Sequence, residues 1–152
     1  MSVLIQADQL RLINLGQRVN KGATTVPQNA LAALFTIATG RVAITGIVGE
    51  VTTIIGGTTP ALKLVANPTV GADSDIVTAV AITADAVGNQ YGVQTVGGAL
   101  VVLESVAPMS QEYLVLKPGT LDMHVSAADA TGAIKWSAFW VPLDDGATLV
   151  AA

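Results

Sequence analysis

The chain contains no cysteine, which excludes disulfide staples and thiolate metal sites and leaves packing and assembly as the sources of stability. It has a single histidine, His124, so a multi-histidine metal centre is excluded and a carboxylate site is the remaining metal option. Aromatic residues make up only 4% of the sequence, and the core must therefore be filled by many small and β-branched side chains. Charged residues are 12% of the chain, about half the share of ~25% usual for soluble domains. That is too little charge to coat a free surface, and part of the surface is expected to meet other protein.

Long hydrophobic runs are missing as well. Mean hydropathy is +0.60, yet the longest nearly uncharged apolar run, Ala30 to Ala38, is far below the ~20 residues of a membrane-crossing helix. Two Trp, two Tyr and two Phe cannot build the aromatic girdles of a membrane barrel, so no membrane partner is expected. The first residues, Met1 to Leu15, carry Asp8 and Arg11 inside their apolar stretch with no basic leader, which does not read as a secretory signal. Cysteine usage fits a reducing cytoplasm. Net charge is -4, and the seven basic residues are scattered singly rather than gathered in the patch that a phosphate backbone requires. Direct nucleic-acid binding is not expected.

What is present is strand composition. A chain of 152 residues fits one domain. Short β-branched runs recur between turn residues, as in a sandwich or barrel. Leu31–Ile37 and Arg41–Val48 flank Ala38-Thr39-Gly40, and Glu50–Ile55 and Ala61–Ala66 flank Gly56-Gly57-Thr58-Thr59-Pro60. Both gaps have the length and glycine content of hairpin loops. Tyr113–Lys117 and Thr120–Ser126 flank Pro118-Gly119, a type II turn signature. Pro142 should end the strand Ala133–Val141. The expectation is an all-β fold, a β-sandwich, jelly roll or barrel of about eight to ten short antiparallel strands. Residues 26–152 are expected as a single β domain. Residues 1–25 fit neither a helix nor a strand period, and two readings stand side by side: a first strand, or an N-terminal arm that orders on a partner.

Catalytic constellations are thin. Asp122, His124 and Ser126 alternate along one strand face. Such neighbours lie roughly 6 to 7 Å apart along a strand, beyond the reach a nucleophile and base require, and a solvated strand face is the expectation. Asp73-Ser74-Asp75 and Asp144-Asp145-Gly146 are oxygen-rich, but they lack the ladder and terminal Glu of a calcium loop and read as turns. No catalytic residue, cofactor or metal is assigned, and no enzymatic role is expected. Trp136 and Trp140 share a strand face and Phe139 takes the other. They could form a sugar platform, but core or subunit-interface packing is preferred in a chain with so few aromatics. The candidate interface residues are Leu10, Arg11, Ile13, Arg18, Lys21, Trp136 and Trp140.

Several segments carry a resemblance. They are Val26-Pro27-Gln28 through Ile37, Gly40-Arg41-Val42-Ala43-Ile44-Thr45, Gly49-Glu50-Val51-Thr52-Thr53, Lys63 through Thr69, Ile134-Lys135-Trp136 and Val141 through Ala147. Together they resemble small head-associated proteins of tailed bacteriophages, a group that includes capsid decoration, or cement, proteins. The likeness spans roughly residues 26–149. It implies a virion structural protein, made in the host cytoplasm and located on the capsid surface. Such a protein binds the outer face of the major capsid protein shell as a homo-oligomer, most commonly a trimer, and stabilises it. A tail, head-completion or fibre-base component is the alternative within the virion, and a carbohydrate-binding β-sandwich the alternative outside it.

Overall fold

The computed structural model describes residues 6–107 and 112–152; residues 1–5 of the expected N-terminal arm lie outside them. Among the described residues one helix, α1 (Ala7–Leu15), precedes twelve strands. Six are long enough to build the frame: β1 (Gln17–Thr25), β2 (Ala30–Ala38), β3 (Val42–Gly56), β4 (Ala61–Pro68), β10 (Gly119–Val125) and β11 (Thr131–Pro142). The others are short: β5 (Ser74–Asp75), β6 (Val80–Ala81), β7 (Gln90–Gly92), β8 (Val101–Leu103), β9 (Leu114–Leu116) and β12 (Thr148–Ala151). The count exceeds the expected eight to ten because two- and three-residue strands are too short to leave a period of two in the sequence.

The strands form two antiparallel sheets packed as a sandwich. In sheet A the order is β1-β11-β3-β7-β8, with β9 also on β3; in sheet B it is β12-β2-β10-β4-β5, with β6 also on β4. Neither sheet closes on itself, which removes the barrel from the expected alternatives. The hairpin reading of the first two glycine-bearing gaps is also corrected. β2 lies in sheet B, β3 in sheet A and β4 in sheet B, so the links at residues 39–41 and 57–60 cross from one sheet to the other. The Pro118-Gly119 link joins β9 of sheet A to β10 of sheet B in the same manner. A tight hairpin and a tight crossover need the same turn chemistry, and Thr39, Gly57 and Thr59 all take positive φ. Local sequence cannot separate the two; the core face of each strand decides it.

The interior is set by alternation along β11. Ile134, Trp136, Ala138 and Trp140 point inward and are 0%, 1%, 0% and 5% exposed. Opposite them in sheet B, Leu121, Met123 and Val125 of β10 are buried in the same cluster. The large indole of Trp136 fits because its partner in register is Gly49 on β3, which is flanked on its other side by Tyr91 of β7. A Cβ at position 49 would stand 2.7 Å from the Trp136 ring. The Tyr91 and Trp136 rings stack across this glycine with centroids 6.2 Å apart. The Tyr91 hydroxyl donates to Asp85 at 2.8 Å; burial, then that hydrogen bond, push its phenol well above the ordinary tyrosine range.

Within residues 6–25 the structure has α1 and then β1, which pairs with β11 in a regular register from Gln17↔Trp140 to Lys21↔Trp136. A bulge at Gly22-Ala23 interrupts the ladder before it resumes at Thr24. No side chain of β1 is fully buried.

Candidate interaction surface

The outer face of sheet A carries an apolar strip. Cross-strand register places Val48 beside Ser137, Gly46 beside Phe139, and Ala43 between Val141 and Val115. Phe139, Val141 and Val48 are half-buried, and Val115 is exposed. The strip is bounded at one end by the Lys135–Glu50 ion pair at 3.0 Å. At its edge Arg18 faces Phe139 across the β1–β11 ladder. Pairs of this kind, apolar at the centre and charged at the rim, have the layout of a protein interface.

Helix α1 is joined to this face at its C-terminal end. The Thr45 hydroxyl, at the bulge of β3, donates to the Leu15 carbonyl. Gly16, at φ 81, packs against the Trp140 carbonyl and the Val141 side chain so closely that a Cβ has no room. Beyond that anchor the helix stands clear of the domain. None of its residues is buried, and Leu10, Leu12 and Ile13 are 48%, 54% and 72% exposed. Local bonds hold its first turn: the Gln6 N–H donates to the Gln9 side chain at 3.0 Å, and Arg11 pairs with Asp8 at 3.1 Å. A helix of nine residues is marginal in water without a packing partner, since isolated helices shorter than ~12–15 residues barely form.

The outer face of sheet B is different in kind. Thr120, Asp122 and His124 project from it, while Ser126 lies past the end of β10 and accepts from the Ala61 N–H at 3.2 Å. The expectation of a solvated carboxylate is corrected here: Asp122 is 3% exposed. Its Oδ2 accepts from Asn67 Nδ2 at 3.1 Å, and its Oδ1 has no hydrogen-bond partner. In register Asp122 stands between Ala33 of β2 and Val65 of β4.

Both acidic clusters serve as structural ties. Lys63 donates to both carboxylate oxygens of Asp75, at 2.8 and 2.9 Å. Asp144 is gripped by Arg41 through the backbone N–H at 2.8 Å, Nε at 3.0 Å and Nη2 at 2.8 Å. These bonds hold the Asp144 carboxyl at about 2. Among the described residues no group of three or more His, Asp or Glu could hold a metal ion. A cleft of about 290 Å³ opens where β9 faces the β4–β5 hairpin, lined by Asn67, Val70, Val96, Val115 and Lys117 among others.

The seven candidate interface residues are spread over three settings. Leu10, Arg11 and Ile13 lie on α1, with the two apolar side chains exposed. Arg18 and Lys21 lie on β1; Lys21 reaches across to the Ala152 carbonyl, tying β1 to the end of β12. Trp136 and Trp140 are inside the sandwich, each packed in the core, and present no ring to solvent for a partner or a sugar. Phe139, Val141 and Val115 of the apolar strip are not among the candidates that the sequence offers. The signal for Phe139 was its alternation against the two tryptophans; for Val115 none exists, because β9 is three residues long.

Comparison with family models, with curated proteins and with solved structures returns no match.

Proposed function

We propose that this protein is a structural component of a tailed-phage virion, a decoration protein that assembles as a homo-oligomer on the outer face of the capsid and stabilises the shell. The observation that carries this reading is an unpartnered helix with three exposed large apolar side chains, anchored beside an apolar sheet face. Surfaces of this kind mark protein contacts rather than free solvent-facing area. The segments that resemble phage head proteins support it in a second way, because they supply the frame. Gly49 seats Trp136, and Gly40-Arg41 meets Asp144, whose Cβ lies 2.7 Å from where a Gly40 Cβ would stand. Binding and bridging neighbouring subunits against internal pressure asks for such a rigid frame carrying sticky edges.

Cosedimentation with capsids stripped of this protein tests the reading. Addition should bring the protein down with the shells at a saturating stoichiometry and raise the temperature at which they rupture. Failure to pellet above the level of a control β-sandwich would overturn it.

A further inference from the structure

We propose that the free edge of β1 binds an extended acidic segment of a partner chain by strand addition. The proposal deepens the shell-binding reading by naming the chemistry of the partner, and rests on that reading only for where the partner is found. β1 is an outer strand of sheet A, hydrogen-bonded to β11 on one side alone. From Gln17 to Lys21 its register is regular, so alternate N–H and C=O groups point away from the sheet and offer a template for another strand. The bulge at Gly22-Ala23 sets the far limit of that template.

Charge selects the partner. Residues 17–25 contain Arg18 and Lys21 and no acid, whereas the chain as a whole has eleven acidic residues against seven basic. Arg18 is exposed on the outer face, and among the described residues it has no ion pair; the four pairs there involve Arg11, Arg41, Lys63 and Lys135. A carboxylate on an added strand, directly opposite Arg18, would complete a cross-strand pair. A second copy of this chain fits poorly. Two β1 strands side by side would bring two unpaired Arg18 side chains to the edge with no acid on either strand, the Lys21 side chain being held by the Ala152 carbonyl. The other sheet edges among the described residues are also unsuitable: β5 and β6 have two residues each, β8 and β9 have three each, and β12 has four with no charge. Cations and bulges also protect edges from indiscriminate pairing; here their single sign admits an acidic strand while rejecting a basic one.

The test uses the full chain and three synthetic heptapeptides: one alternating Glu with Val, one alternating Lys with Val, and the acidic one N-methylated at alternate residues. The acidic peptide should bind and slow amide hydrogen exchange within residues 17–21. The basic peptide should bind at least about fivefold more weakly, and about 0.5 M salt should reduce the difference. N-methylation, which removes donors but keeps the charge, should abolish binding. The exposed substitution Arg18→Glu should invert the preference between the acidic and basic peptides. Equal binding of all three peptides, no acidic binding at millimolar concentration, protection elsewhere than β1, or a free protein already paired through β1 would each overturn the proposal. Peptide binding without cosedimentation would leave the edge site standing and sink the shell reading; cosedimentation unaffected by Arg18→Glu, with no peptide binding, would do the reverse.

Discussion

At the scale of single residues, the structure turns on places where a small side chain makes room for a large one. Gly49 is the clearest, since two rings close over it. Gly49→Ala should cost about 1–3 kcal/mol, the usual penalty for overpacking a tight core, and lower the melting temperature by several degrees in a thermal scan. A change within experimental error would mean that Trp136 does not lie across position 49. Arg41 and Asp144 set a pH dependence with a definite sign. The Asp144 carboxyl falls from 3.8 to about 2 in the fold. A depressed carboxyl contributes stability above its unfolded value and loses it as pH falls through the folded one. Acid should therefore weaken the protein between about pH 4 and pH 2 by protonating this group. Asp144→Asn should be less stable at neutral pH and flatter across that acid window, as read from unfolding midpoints in denaturant. Solvent screening keeps the effect small, because both side chains are substantially exposed.

At the scale of elements, much of the frame is legible in the sequence and the connections are not. Strands β2, β4, β10 and β11 fall where β-branched runs predict them, whereas the two runs Arg41–Val48 and Glu50–Ile55, expected as separate strands, form the single strand β3 through Gly49; the inward set Leu121, Met123 and Val125 follows from period-two alternation alone. The sheet assignment of neighbouring strands is invisible locally, because glycine-bearing links serve hairpins and crossovers equally. The N-terminus is illegible for a different reason. β1 sits at an edge with mixed exposure and α1 buries nothing, so neither leaves the apolar stripe that betrays an element. The apolar strip is half legible: Phe139 is set by alternation with the tryptophans, but its neighbours Val115 and Ala43 come from strands that only the register brings together. These two N-terminal elements should respond differently to deletion. Removal of residues 2–16 should change stability by no more than about 1 kcal/mol, since the clearest loss is the Thr45–Leu15 hydrogen bond. Removal of residues 2–25 strips β1 from β11, exposes the ladder beside Trp136, Ala138 and Trp140, and should yield a chain that aggregates or melts without cooperativity. Circular dichroism melts of the two truncations separate the cases; equal stability would show that β1 contributes nothing to sheet A.

At the scale of the whole molecule, the uneven division of surface is what bears on assembly. Sheet B turns outward Thr120, His124 and the Lys63–Asp75 pair, with Leu31 and Val150 among them, whereas sheet A turns outward a strip of Phe139, Val141, Val48 and Val115 rimmed by Arg18 and the Lys135–Glu50 pair. With 12% charge the chain cannot hide that second face under long polar side chains, and α1 adds Leu10, Leu12 and Ile13 beside it. A standard interface takes about 800 Å² from each partner, roughly a tenth of the 7749 Å² on this chain. The helix and the Phe139 strip together supply the apolar centre such an interface needs. A heterologous contact closes into a ring when its rotation permits, and a trimer is the closed state that the proposed decoration role calls for. Light scattering at micromolar concentration should therefore report about three times the 15.4 kDa of one chain. Replacing both Leu10 and Ile13 by Glu should shift the mass toward the single chain without lowering the melting temperature measured at high dilution, because neither side chain is part of the core. A wild-type protein that scatters as a clean monomer, or a doubly substituted one that still assembles, would remove α1 from the contact and leave the outer face of sheet A to be tested alone, by Phe139→Lys.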